Sequence, residues 1–391
     1  MTLRLFAMLL EYAAALLAVT AWLLPQIQGR LSGWRPAHLS DVPIDALPEL
    51  PALSVIVPAL DESKTIGPAM RTLLALDYPR LEIVAVNDRS TDETGAILDS
   101  LAQEDSRLRV LHVTDLPAGW LGKNHALQQA TEVASGEYLL FTDADVHFEA
   151  SVLRRAVAFA EQRGLDHLVV FPDVELHRFW ETVSVWFFGI MLVMRYRPWK
   201  VPDPRDKEAY LGIGAFNLVR AAAYRRMGGH AALPMEVADD MKLGKQLKES
   251  GARSDSAIGD GMVRVRWVVG LGGIVRGLTK NLFAGFGFRP LRAIASAAAL
   301  LVVAVWPAIG LWIGPWPSRF LCLCVLWLMV LTASAAPASR GKTPLYGLAF
   351  PLAALVLIYI ILRSMAFTYR QGGIRWRGTF YPLDELRRGV V

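Results

Sequence analysis

The apolar residues of this chain gather near its two ends, and that placement limits the fold more than any single motif. Residues 2–24 and 293–369 are largely apolar, while the stretch between them has the mixed polarity of a water-soluble fold. The apolar share of 53% exceeds that of an ordinary soluble domain, and 391 residues leave room for one α/β domain and several membrane helices. A globular domain held between membrane segments is the organisation this predicts. The formal charge of +5, with many arginines flanking the apolar ends, suits an anionic membrane surface. No compact Lys/Arg run is interleaved with aromatics, which argues against nucleic acid as a partner. Cys322 and Cys324 both lie inside an apolar run and read as small helix-packing residues, since they cannot staple a soluble domain.

The run 5–24 is longer than a signal-peptide core, and Trp22-Leu23-Leu24-Pro25 offers no small-residue cleavage site, so residues 1–29 read as a retained transmembrane anchor. Glu11 inside it is costly unless it faces protein or water. Residues 30–53, with Pro36, Pro43, Pro48 and Pro51, read as an extended linker. Three apolar runs close the chain at 293–313, 320–336 and 345–367, each near or beyond the length of a membrane crossing. They define a helical region over 293–368, followed by a basic tail over 369–391. Residues 179–194, rich in Trp, Phe and Met, read either as a surface-lying amphipathic helix on the route of an apolar acceptor or as a buried core helix. The segment 268–292, which carries Arg276 and Lys280, reads as interfacial.

Order in the middle begins with Leu53-Ser-Val-Ile-Val57, a β-branched run stopped by Pro58. Helical spacing follows over 65–76, then a second strand, Leu81-Glu-Ile-Val-Ala-Val86, then a helix over 123–134 and a strand over 138–142. Strands apolar on both faces and alternating with helices predict an α/β fold with a mostly parallel sheet covered on both sides. Ligands of such sheets gather beyond the carboxyl ends of the strands, where this chain places Asp61, Glu62, Asp88, Asp143 and Asp145.

Asp143-Ala-Asp145 after a buried strand is the strongest single signal. In an extended segment alternate side chains share a face, so both carboxylates are expected to meet one ligand, and hard oxygen donors with open positions suit Mg²⁺ or Mn²⁺ bridged to phosphate. Pro58-Ala-Leu-Asp61-Glu62 and Asn87-Asp88-Arg-Ser-Thr-Asp92 place carboxylates where they can accept from a base or a ribose. Helix capping is the competing local role for Asp61 and Asp92. Gly119-Trp-Leu-Gly122-Lys123-Asn124 sets a lysine at a helix start, a plausible anion-binding element without the spacing of a hydrolysing phosphate loop. Asp239-Asp240 opens a further helix. Either the pair merely complements the helix N-terminus, or one member is a general base.

In this order the motifs resemble the processive and lipid-directed branches of family-2 glycosyltransferases. The layout of anchor, central domain and apolar tail is similar to that of ceramide glucosyltransferases and hopanoid- or carotenoid-associated glycosyltransferases. The resemblance covers about residues 50–290 and implies a nucleotide-sugar-binding GT-A domain over 30–267. It implies that Pro58, Asp61, Glu62, Asp88 and Asp143 line the nucleotide-sugar site, that Lys123 lies near donor phosphate or ribose, that Asp145 with Asp143 holds Mg²⁺ or Mn²⁺, and that Asp240 of the Asp239-Asp240 pair is the base. The family carries Asn at the place of Asp61 and a Glu-Asp pair at that of Asp239-Asp240. Its Gln-x-x-Arg-Trp motif has no clean counterpart: Arg276 and Lys280 stand at that distance, Arg264-Val-Arg266-Trp267 comes earlier, and Gln371-Gly-Gly-Ile-Arg375-Trp376 follows the last apolar run.

The activity so implied is inverting, metal-dependent transfer of a hexose from a nucleotide sugar such as UDP-glucose to a membrane-lipid hydroxyl, at the cytoplasmic face of a bacterial inner membrane. A processive polysaccharide synthase and a non-catalytic nucleotide-sugar sensor are the alternatives. The nearly uncharged C-terminal helices weigh against the first and the retained carboxylates against the second. The topology contains a conflict. Three crossings after a cytosolic domain put the tail outside, yet that tail carries Arg370, Arg375, Arg377, Arg387 and Arg388.

Overall fold

The computed structural model describes residues 2–334 and 343–390, so residues 335 and 336 of the last-but-one apolar run, together with Val391, lie outside it. The chain forms two compact units. One comprises Met1–Trp34, Leu176–Arg197 and Val268–Trp376; the other comprises Arg35–Glu175, Pro198–Trp267 and Arg377–Val391.

The second unit is α/β. Its strands are β1 (Ala37–His38), β2 (Leu53–Ala59), β3 (Leu81–Asp88), β4 (Leu108–Val113), β5 (Tyr138–Phe141), β6 (Val146–Phe148), β7 (His167–Phe171), β8 (Asp173–Val174), β9 (Asn217–Arg220), β10 (Ser254–Ile258) and β11 (Val263–Val265). An eight-stranded sheet runs β1-β10-β7-β9-β5-β2-β3-β4, and a three-stranded one runs β6-β11-β8. The large sheet is parallel except at β9, which is antiparallel to both β5 and β7. Strand alternation explains the layers: Val55 and Val57 join a core with helices Ile66–Leu74 and Val152–Arg163, while Ile56 joins one with Gly122–Val133 and Asp239–Glu249. The mostly parallel, doubly covered sheet read from the sequence is therefore present.

Pro58 does not end its strand. β2 continues to Ala59, with Pro58 opposite Val86 of β3. On its other side β5 stops at Phe141 opposite Ile56, so at Pro58 no partner there needs the missing N–H. The first two parallel strands thus run to Ala59 and Asp88 before releasing their loops.

The first unit is helical, and among the described residues four of its helices are long and apolar enough to cross a membrane: Arg4–Leu31, Pro290–Ile313, Trp316–Ser334 and Pro344–Gln371. The first keeps Pro25 inside it and reaches Leu31. Their packing is close and partly polar. Gly347 faces the backbone of Met329, where a Cβ would meet the carbonyl oxygen at 2.6 Å, and the indole of Trp22 donates to the carbonyl of Val303 in a π-helical turn over Leu301–Val305. Helices Phe179–Tyr196 and Gly270–Gly285 also belong to this unit. The fully buried Glu181 ties their starts together by accepting from the N–H groups of Arg178 and Gly270 at 3.1 Å each. Beyond the last of these helices come β12 (Gly373–Trp376) in this unit and β13 (Thr379–Pro382) in the α/β unit. The tail from Arg377 onward is thus part of the same compact body as the sheet.

Candidate active site

Polar groups collect where β2, β3 and β5 release their chains, the end of a parallel sheet at which loops converge. After β5 the residues Asp143 and Asp145 do not extend the strand: they lie in the turn between Phe141 and Val146. The two-residue alternation of an extended segment therefore does not apply to them. The turn itself brings them together, pinned by the Asp143 N–H donating to the Gly214 carbonyl at 2.9 Å. Burial, and then the charges of Asp143 and Glu62, push the Asp145 carboxyl up to about 6.

Lys123, in the first turn of helix Gly122–Val133, joins this turn to the acidic pair. Its Nζ lies 2.9 Å from Asp143 Oδ1 and 3.0 Å from Asp239 Oδ2. Burial alone would depress the ammonium, but the charges of Asp143, Asp239 and Asp240 outweigh it and raise its pKa. The register between lysine and acids is set by the neighbouring Asn124. Fully buried, it donates to the carbonyls of Leu233 (2.5 Å) and Glu236 (2.9 Å) in the loop that leads into helix Asp239–Glu249.

The two acids occupy different settings. Asp239 is nearly buried at 6% exposure and committed to Lys123. Asp240 is half-buried and oriented by backbone donors, its Oδ2 accepting from Gly214 N–H (2.9 Å) and its Oδ1 from Met241 N–H (2.7 Å). Burial, and then the charge of Asp239, raise it to about 7. Glycine makes this approach possible. A Cβ at residue 212 would stand 1.8 Å from the Asp240 carbonyl oxygen, and one at residue 214 would stand 2.4 Å from Asp143 Oδ2.

The carboxylates at the ends of β2 and β3 are locally partnered. Asp61, at φ 52°, accepts from Thr91 N–H at 2.7 Å, thereby linking two loops rather than capping its own helix. Asp92, one residue before the N-cap Glu93, accepts from Thr94 N–H at 3.0 Å at the start of helix Thr94–Glu104 and from Ser63 N–H at 3.1 Å, so it too links two loops. Asp88 is 3% exposed and bidentate with Arg89, at 2.7 and 3.0 Å. Glu62 accepts from the Thr65 hydroxyl at 2.8 Å and pairs with Arg377. Pro58 lines the same cavity as Lys123, Asp143 and Asp240. Arg276 and Lys280 lie on helix Gly270–Gly285 of the other unit, where the Lys280 ammonium sits 5.0 Å from the Trp376 ring centroid, and Arg375 lies in β12. Arg266 donates to the Glu175 carbonyl at 3.1 Å.

The donor set fits a divalent cation that brings most of its shell with it. Among the described residues no cluster of three His, Cys, Asp or Glu side chains is positioned to hold a metal alone. Two half-buried hard-oxygen ligands with a raised Asp145 leave negative charge that an Mg²⁺- or Mn²⁺-type ion sharing substrate phosphates and waters would relieve. Asp143 would exchange its contact with Lys123 for such an ion, and Asp145 would be its second protein ligand. Sequence reasoning missed Gly212-Ile-Gly214, whose paired glycines before a short strand were the available signal. It also missed Asn124 and Arg89 as positioning groups.

Comparison with known proteins follows the same lines. Residues 54–228 match the profile of glycosyl transferase family 2. The 4,4'-diaponeurosporenoate glycosyltransferase of Staphylococcus aureus strain MRSA252 is 25% identical over 353 residues, spanning 85% of this chain and 89% of that protein. Among solved structures, the mannosyltransferase PcManGT from Pyrobaculum calidifontis, in complex with GDP-Man and Mn²⁺, superposes with a TM-score of 0.54 at 21% identity, covering 89% of this chain and 99% of that one. The resemblance read from the motifs is borne out: residues 54–228 match glycosyl transferase family 2, and the fold is GT-A-like.

Proposed function

We propose that this chain is a family-2 glycosyltransferase that moves a hexose from a nucleotide sugar, a UDP-sugar such as UDP-glucose, to a hydroxyl of a membrane lipid. The observation that carries the reading is the lysine-centred cluster at the strand ends, with Lys123 between Asp143 and Asp239 and with Asp145 and Asp240 pushed to about 6 and 7. A carboxylate with a pKa near ambient pH is suited to take a proton and pass it on. On this reading Asp240 deprotonates the acceptor hydroxyl as its oxygen attacks the anomeric carbon, the diphosphate leaves from the opposite face, and the single displacement inverts configuration. A divalent ion held by Asp145 with Asp143 would supply charge neutralisation to the departing diphosphate. Lys123 bridges Asp239 and Asp143, and Asp61, Glu62 and Asp88 face the nucleoside.

A second reading has a specific ground. The staphylococcal relative is named for transfer to 4,4'-diaponeurosporenoate, a carboxylate. A carboxylate acceptor is already ionised at neutral pH and needs no base, leaving Asp240 an orienting role. Purified protein incubated with radiolabelled nucleotide sugars and total lipid separates the possibilities. Label in the organic phase that survives mild alkali indicates a glycoside, label released by alkali indicates a glycosyl ester, and label in polymer indicates a processive synthase. No transfer to any acceptor would leave only a sensor.

The cytoplasmic face is inferred from donor supply. Since the tail and the sheet share one compact unit, the chain between residues 267 and 377 returns to its starting side and crosses an even number of times. Among the described residues three helices there are long enough to cross, so at least one of them does not complete a passage. The expected outcome of thiol labelling is that Lys64→Cys and Arg388→Cys are both shielded in sealed cells and both react after permeabilisation. Opposite sidedness would reject this topology.

A further inference from the structure

In the α/β unit the polar contacts of the tail repeat every second residue. Arg377 donates to the Leu60 carbonyl and pairs with Glu62 Oε1 at 2.5 Å; Thr379 accepts from the Arg89 guanidinium at 3.4 Å; the Tyr381 hydroxyl accepts from Gly122 N–H at 3.2 Å. Thr379 and Tyr381 share one face of β13 because alternate residues of a strand do, and Arg377 stands in the turn just before it; together they meet the loop after β2, the loop after β3 and the start of helix Gly122–Val133. The first two are the segments assigned above to the nucleoside, and the third carries Lys123. The tail is seated by apolar burial, with Tyr381 and Leu383 nearly buried and Leu386 fully so. Its direction is fixed by a turn in which Arg377 and Gly378 are both left-handed, at φ 45° and 82°.

The cations here are unequally committed. Lys123 is held between two carboxylates, and Arg89 is locked on a buried Asp88. Arg377 is paired with one partly exposed carboxylate and keeps 40% of its own side chain exposed. A guanidinium fork matches a phosphate bidentately, and exchange of a solvent-accessible carboxylate for a diphosphate costs little desolvation.

We propose that the tail from Arg377 to Tyr381 is a wall of the donor site, and that Arg377 moves from Glu62 to the donor diphosphate when the nucleotide sugar binds. The proposal rests on the donor reading above. It assigns to a residue beyond the last apolar helix a positive charge that the sequence left open among Arg276, Lys280 and the Arg-Trp segments.

Calorimetry on the full chain in nanodiscs, with UDP, GDP and their free nucleosides as probes, tests it. Arg377→Ala is expected to weaken diphosphate binding about 10-fold or more, the loss of one charge-assisted contact, with nucleoside binding unchanged. Arg377→Lys, which keeps charge without the fork, should fall between, and it stands in if the alanine variant does not fold. Arg388→Ala, removing an equal charge farther along the tail, should leave binding as in wild type. Unchanged or tighter diphosphate binding in Arg377→Ala overturns the proposal, the tighter case marking the tail as a plug. Wild-type protein that binds neither diphosphate overturns the donor reading itself, an outcome distinct from binding indifferent to Arg377.

Discussion

The two sides of the candidate site hold similar acidic residues in opposite conditions. At the ends of β2 and β3 each carboxylate is answered nearby: Asp61 by Thr91, Glu62 by Thr65 and Arg377, Asp88 by Arg89. Beyond β5 and at the start of helix Asp239–Glu249, four carboxylates share the single ammonium of Lys123, and three of them are pushed upward. The first side is satisfied before any ligand arrives, which suits a surface that reads a neutral nucleoside by hydrogen bonds, with Glu62–Arg377 the one pair a diphosphate would exchange. The second side carries uncompensated charge, which suits a place where a cation binds and a proton moves. Burial in low dielectric makes that imbalance expensive, and such sites are where function is most often found.

Substitutions on the two sides should therefore fail differently. The largest effect is expected from Asp145→Asn, which removes a proposed ligand of the divalent ion. Transfer should fall on the order of 10³-fold, as loss of several kcal/mol of charge stabilisation implies, and chelation of wild-type protein should reproduce it. Full activity in the variant or in excess chelator would erase the distinction between the sides. Asp240→Asn should lower single-turnover transfer roughly 10²-fold while donor affinity by calorimetry stays near wild type. Asp239→Asn should cost the chemical step less. If Asp239→Asn binds donor without reacting while Asp240→Asn transfers normally, the roles are reversed. The smallest effect belongs to the satisfied side: Asp88→Asn should raise the donor KM about 10-fold with kcat within a factor of about 2, the signature of lost ground-state binding.

Much of this contrast was legible in the sequence, for reasons that also explain the omissions. Leu53-Ser-Val-Ile-Val57 and Leu81-Glu-Ile-Val-Ala-Val86 announce buried parallel strands because both faces are apolar, and the acidic residues after them follow from where such strands end. β9 and β10 were not read. Asn217-Leu-Val-Arg220 and Ser254-Asp-Ser-Ala-Ile258 are short and polar, and only tertiary partners bury Asn217, Ser254 and Asp255. Asp143-Ala-Asp145 was read as extended because spacing alone cannot tell a strand end from a turn. Lys123 was read as facing phosphate, and its seat between Asp143 and Asp239 joins residues 20 and 116 positions away, a separation no local pattern reports. The tail carried five arginines that signalled a membrane surface. That Arg377, Thr379 and Tyr381 all contact the sheet loops and the helix start needed the fold.

The central claim, that Asp240 is the proton acceptor on the uncompensated side, is tested most directly by the pH dependence of single-turnover transfer with saturating donor. Its carboxyl is raised to about 7 and is active only when ionised, so the wild-type rate should be level above that pH and fall about tenfold per pH unit below it. In Asp240→Asn the residual rate should lose that slope over the same range, while Asp239→Asn should retain it. An unchanged slope in Asp240→Asn, or its disappearance in Asp239→Asn alone, would contradict the assignment.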